Sequence, residues 1–202
     1  MPLPHFTASK RFPVEKKNAR SVDKIPDAVL WDQFRNGSDA AFIQVYEQNF
    51  DRLYAYGMRL TQDESLTQDG IQEVFFDLKH LRKKLGPTHH IRFYLLKCLK
   101  RKLFRLRDGW EQHRVDLAER EDFGFELSHE QVLIDQQLDG ERTEQLNRAI
   151  AELSPRKKEI IYYFFYEDLS YPEIRELMGL DSDHTTRNLM YKALAFLRET
   201  LR

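Results

Sequence analysis

Between Asp39 and Leu60 the apolar positions Phe42, Val45, Tyr46, Phe50, Leu53, Tyr54, Gly57 and Leu60 recur at spacings of three and four, with Asn49 in the same stripe. That rhythm predicts one long amphipathic helix with its N-cap at Ser38 or Asp39. Pro26 ahead of it introduces a short helix, DAVLWDQFRNG, closed by Gly37. A third helix follows TQDES, with Leu66, Ile71, Val74, Phe75 and Leu78 on its inner side. After the turn GPTHH comes IRFYLLKCLKRKLFRLRDGW, whose apolar set is Phe93, Leu96, Leu99, Leu103 and Leu106.

The rhythm weakens between 111 and 140, then returns in RTEQLNRAIAEL. Ser154-Pro155 pairs a capping residue with proline at the first helical position, a start signal for the aromatic-rich RKKEIIYYFFYED. The run Tyr162–Tyr166 and the thiol Cys98 both read as core. SYPEIRELMG, a turn near Leu180–Ser182 and DHTTRNLMYKALAFLRETL complete the chain. No strand alternation of useful length occurs. The fold class is all-α, in two helical domains: 27–110 and 140–202, with 111–139 as an acidic linker and 1–26 as a disordered basic extension.

Charge sharpens this division. The net charge of −1 over 202 residues hides strong segregation. Residues 79–114 hold 12 Lys and Arg against 2 Asp and Glu, whereas 115–153 hold 3 against 11 and 27–78 hold 3 against 10. Separate surfaces for separate partners follow, with the basic segment a candidate nucleic-acid surface. The single cysteine cannot form an internal disulfide, no apolar run approaches a membrane span of about 20 residues, and the N-terminus lacks a secretory apolar core. A cytoplasmic protein without membrane insertion is expected. Catalytic triads, phosphate loops and spaced carboxylate pairs are missing, so the reading is not an enzyme, with no cofactor. His89-His90 has no companion ligand cluster and reads as loop surface, not as a metal site.

The last two helices have helix-turn-helix layout. Ile174, Leu177, Leu189 or Met190, and Leu194 face the core, which leaves a polar opening on the second helix. In this motif the N-terminal residues of that helix enter the major groove. Arginine reads guanine edges, asparagine reads adenine edges, and hydroxyls hold phosphates. The DNA-contact candidates are His184, Thr185, Thr186, Arg187, Asn188 and Lys192.

The segment ELSPRKKEIIYYFFYEDLSYPEIRELMGLDSDHTTRNLMYKALAFLRETL resembles region 4 of extracytoplasmic-function sigma factors, with TTRNLMYKAL as its recognition helix. FIQVYEQNFDRLYAYGMRL and TQDGIQEVFFDLK resemble the first two parts of region 2, and FYLLKCLKRKLFRLR stands where the −10-binding part would be. The resemblance spans roughly residues 27–110 and 140–202. Departures are Lys100-Arg101 and Phe104-Arg105 near an Arg-Asn pair and an Asp of the family, a turn one residue longer at Ser182-Asp183, and the N-terminal extension.

The resemblance implies a sigma factor that binds RNA polymerase core through Asp69, Gln72, Glu73 and Phe76. It implies −10 promoter DNA on Lys97, Lys100, Arg101, Arg105 and Arg107, −35 DNA on the C-terminal tip, and an anti-sigma factor as a further partner. For the base stacking that promoter opening needs, the resemblance implies surfaces on Phe93, Tyr94 and the loop Gly86–His90, while Phe93 and Tyr94 also read as core. Two other readings stay open: a helix-turn-helix regulator of duplex DNA, and a polymerase-binding helical regulator.

Overall fold

In the computed structural model, which describes residues 25–108, 123–125 and 140–201, the apolar stripes form eight α-helices. They are α1 (Asp27–Arg35), α2 (Asp39–Thr61), α3 (Glu64–Leu81), α4 (Ile91–Asp108), α5 (Gly140–Ala151), α6 (Pro155–Phe165), α7 (Tyr171–Met178) and α8 (Asp183–Thr200). A 3₁₀ turn, Arg82–Lys84, prolongs α3. The N-terminal extension up to residue 24 and most of the acidic linker lie outside the described residues.

The helix ends follow local chemistry. Ser38 Oγ accepts from Ala41 N–H at 3.2 Å, and Asp63 accepts from Leu66 N–H at 2.9 Å. Gly37 and Gly179 take the left-handed conformation, φ +102° and +62°, at the ends of α1 and α7. Ser170 and Glu173 form a reciprocal capping box on α7. Ser154 precedes Pro155 as expected, but its carbonyl, not its hydroxyl, serves α6: it accepts from Lys157 N–H and Lys158 N–H.

Helices α1 to α4 enclose Trp31, Phe34, Leu53, Tyr56, Ile71, Leu95, Leu96, Leu99 and Leu103, all at most 1% exposed. Two glycines allow the close packing. A Cβ on Gly57 would stand 2.5 Å from Thr67 Cγ2, and one on Gly70 would stand 2.5 Å from Leu103 Cδ2. Helix α1 also holds the loop before α4. Trp31 Nε1 donates to Gly86 O at 2.9 Å, and Asp27 Oδ2 accepts from Ile91 N–H at 2.8 Å. Asp27 thus caps a helix that begins 64 residues later.

Some expected core positions differ. Tyr46 is 38% exposed although it rests against Phe75, and Leu106 is 38% exposed because the last turn of α4 projects past the buried layer that ends at Leu103. Within Tyr162–Tyr166, Tyr162 and Tyr163 are buried, whereas Phe165 is 57% exposed at the end of α6. Cys98 is half-buried, and burial pushes its thiol up. Its neighbour Tyr94 lies 5.1 Å from the Trp31 ring and is pushed up to about 12, by burial first and by Cys98 second.

Candidate nucleic-acid interface

Helix α8 sorts its residues by phase. Thr186, Met190, Ala193 and Leu197 are buried, at spacings of four, three and four. At 100° per residue the opposite face carries His184, Asn188 and Tyr191, with Arg187, Lys192 and Thr185 on its flanks. All six are exposed, Tyr191 by 70%. Ser182 Oγ accepts from Thr185 N–H at 3.1 Å and so fixes the start of the helix, while Arg175 meets Asp183 at 3.0 Å and ties that start to α7.

Thr186 corrects the sequence reading. It is 0% exposed, and its hydroxyl donates to Ser182 O at 3.0 Å. A threonine methyl suits the seam, and the hydroxyl satisfies itself one turn back. Thr186 therefore cannot touch DNA. Tyr191, by contrast, is not among the sequence candidates, although its spacing of three from Asn188 and four from Arg187 puts it on their face. The Arg187 guanidinium sits 5.6 Å from the centroid of Tyr171, which stacks on Phe164. Asn188 Nδ2 lies 3.0 Å from His184 Nε2.

On α3, Asp69, Gln72, Glu73 and Phe76 are all exposed, in a single row at helical spacing. Phe76 is 56% exposed and packs against the His80 ring at 3.9 Å. Glu73 and Asp77 both pair with Lys102 of α4, at 3.0 and 2.8 Å. Burial depresses the Lys102 ammonium, but hydrogen bonds to Asp77 and Glu73 outweigh it and hold the pKa above its usual value.

The α4 basic residues divide. Arg101, Arg105 and Arg107 are exposed on the helix surface. Lys97 and Lys100 instead meet acidic residues of the C-terminal helices. Lys97 pairs with Glu176 of α7. Lys100 is only 7% exposed and donates to Glu159 Oε1 of α6 at 2.5 Å. In this arrangement Lys100 is closed to DNA, because a buried ammonium needs its anion and has it from within the chain. Beside it Tyr163 donates to Glu159 at 2.7 Å, and the Tyr56 hydroxyl lies 2.6 Å from that of Tyr163. Burial, then the Glu159 charge, pushes both tyrosines well up, so both hydroxyls stay protonated.

Further contacts join the domains. His90 Nδ1 lies 2.5 Å from Glu173 Oε1, so this histidine is an interdomain partner, not free loop surface. Arg52 lies 3.8 Å from Glu167, and Arg92 donates to the Glu167 carbonyl at 3.4 Å. Glu167 is 2% exposed, and its carboxylate accepts the Tyr162 hydroxyl at 2.5 Å. Burial pushes its pKa up, against the Tyr162 bond and the Arg52, Arg92 and Arg59 charges. Among the described residues no group of three metal-ligating side chains occurs, and no helix is long and apolar enough to cross a membrane.

Residues 143–197 match the family model for Sigma-70, region 4. The C-terminal domain is a sigma-70 region 4 domain. No curated protein sequence matches the chain. Solved structures extend the likeness in fold to both domains. One is CnrH in complex with the cytosolic domain of CnrY, at 18% identity and a TM-score of 0.56, covering 87% of this chain and 97% of that one. Another is the sigma factor RpoE in complex with the anti-sigma factor NepR from Bartonella quintana, at 17% identity and a TM-score of 0.51, covering 79% and 96%. The all-α fold expected from the sequence is the fold of these two structures.

Proposed function

We propose that the chain is an extracytoplasmic-function sigma factor, which binds RNA polymerase core and directs initiation at promoters read at −10 and −35. The observation that carries this is the region 4 helix α8, whose exposed face gathers His184, Asn188, Tyr191, Arg187, Thr185 and Lys192 opposite its buried seam. Such a face fits a major groove: Arg187 and Asn188 suit base edges, while Lys192 and Thr185 suit phosphates.

The α3 row Asp69, Gln72, Glu73 and Phe76 supports a second, proteinaceous contact, since one exposed phenylalanine among polar neighbours is a small anchor with a polar rim. This row is the docking surface for polymerase core. Helix α4, with Lys97, Lys100, Arg101, Arg105 and Arg107, neutralises the −10 phosphates once its partners in the C-terminal domain are withdrawn. CnrH and RpoE are each held in a complex, RpoE by an anti-sigma factor, and an anti-sigma factor is the corresponding partner here.

Transcription in vitro with purified core polymerase tests the reading. Promoter-specific transcripts that require this chain support it. Duplex DNA binding with no effect on core polymerase would instead identify a helix-turn-helix regulator. Core binding without any promoter dependence would identify a polymerase-binding regulator.

A further inference from the structure

Between the two domains the described stretch Phe123-Gly124-Phe125 lies in the seam of α2 and α6. Both phenylalanines are buried, at 5% and 4% exposure. Phe123 stands 5.4 Å from Tyr162 and 6.4 Å from Tyr163, while Phe125 stands 5.7 Å from Tyr162 and 5.0 Å from Tyr166. Tyr162 is thus held between two rings of the linker, with the Arg59 guanidinium of α2 4.9 Å from its centroid. Between them Gly124 N–H donates to Arg59 O at 3.2 Å. Arg59 is in the last turn of α2, where carbonyls have no intrahelical donor, so the linker backbone completes the end of that helix.

Other interdomain contacts are polar. Lys97–Glu176 and His90–Glu173 are partly exposed, and such pairs are weak and screened by salt, whereas Lys100–Glu159 and the Tyr56–Tyr163 hydroxyl contact are buried. The apolar part of the seam comes from Phe123, Phe125 and the tyrosines of α2 and α6. The two phenylalanines extend this apolar contact from an otherwise acidic segment, so that the linker itself joins the two surfaces.

We propose that Phe123-Gly124-Phe125 is an intrachain clasp: it holds the domains together, and its release uncovers Lys97 and Lys100 on α4. The clasp binds one end of the region 4 domain to α2 while Glu176 and Glu159 occupy the two lysines. Release frees both lysines at once, because both are covered by the same docked domain. Its effect on DNA rests on the reading of α4 as the −10 surface; the clasp itself does not.

The test compares the full chain with Phe123→Ala/Phe125→Ala, with Gly124→Pro and with Gly124→Ala. A Cβ on Gly124 meets only Gln62 Nε2 at 3.7 Å and Arg59 O at 4.0 Å, so alanine fits, whereas proline removes the donor to Arg59. Acetylation by sulfo-N-hydroxysuccinimidyl acetate, read residue by residue by mass spectrometry, reports the exposure of Lys97 and Lys100. Small-angle scattering reports the separation of the domains. Anisotropy of a fluorescein-labelled, AT-rich single-stranded oligodeoxynucleotide reports DNA binding. The double alanine and the proline variants are expected to acetylate both lysines about tenfold faster, with a larger radius of gyration, as for a closed state favoured about ten to one. Gly124→Ala is expected to match the parent chain. Unchanged acetylation and radius in both opening variants overturn the clasp. Opening with faster acetylation but no gain in oligonucleotide binding upholds the clasp and counts against α4 as a DNA surface.

Discussion

Lys100 and Glu159, 59 residues apart in sequence, meet at 2.5 Å in the seam between the domains. Tyr163 donates to the same carboxylate, so Glu159 holds one cation and one hydroxyl. Removing one member of a buried pair costs about 3–5 kcal/mol when the other must remain buried. Here Lys100 can return to water if the domains part. Glu159→Ala is therefore expected to separate the domains and leave helical content unchanged, as measured by scattering and far-ultraviolet circular dichroism. A cooperative loss of helix would show instead that the pair supports the fold of a domain.

At the DNA-reading tip, roles should separate by phase. Loss of Asn188 or Arg187 is expected to cost about 1–3 kcal/mol of discrimination among −35 variants. Loss of Lys192 should weaken all sequences alike and reduce the salt slope by about 0.9. Tyr191→Ala belongs with the first group, because Tyr191 shares the outer face with Asn188. Transcription from a promoter panel at two salt concentrations checks all four. An unchanged promoter ranking in Asn188→Ala, Arg187→Ala and Tyr191→Ala would remove base reading from this face.

On α3, Glu73→Lys with Phe76→Ala is expected to weaken retention on core polymerase while the helical signal holds. Glu73 also pairs with Lys102, but Asp77 keeps that lysine neutralised at 2.8 Å. A pull-down at wild-type level would mean that polymerase docks elsewhere.

Packing around Gly70 sets a stability test. Its nearest neighbours, Leu103 and Leu99, are at most 1% exposed and have little room to retreat. Gly70→Ala is expected to cost about 1–3 kcal/mol through overpacking, even after alanine's better helix propensity is counted. A urea midpoint equal to the parent's would show that α3 and α4 separate freely.

Glu167 makes stability depend on pH. Its folded pKa is raised, so its contribution is fully present below the ordinary glutamate value of about 4.3 and is lost as pH rises through the raised value. Glu173 acts in the opposite sense. Burial pushes it up, but the Ser170 hydroxyl and N–H and His90 prevail and hold it below the usual range. Its contribution is present above the ordinary value and is lost only at lower pH. The Glu167 contribution to stability should therefore grow as pH falls toward that value. Urea unfolding across the window should show this in the parent chain and a weaker response in Glu167→Gln, whose amide oxygen can still accept from Tyr162.

Much of this was legible in the chain. The stripe of α2, the cap at Ser38 and the left-handed glycine that closes α1 are local signals that local physics obeys. Thr186 was not legible because a run of polar residues hides the phase of the helix beneath it; Met190, Ala193 and Leu197 further along are what assign it to the seam. The closure of Lys100 was less legible still. It depends on an acid in another domain, and no spacing along α4 encodes that meeting.

The bond from Ile91 N–H to Asp27 has a consequence for how the first domain assembles. A cap contributed from α1 means that the basic helix has a finished first turn only after the chain's first described helix has arrived. Trp31, bonded to Gly86 O, adds the other end of the same tether. The contact closes a loop of more than half a hundred residues, a slow step for a chain otherwise rich in local contacts. A polypeptide starting after α1 would keep every residue of the basic helix and yet present it with a frayed beginning.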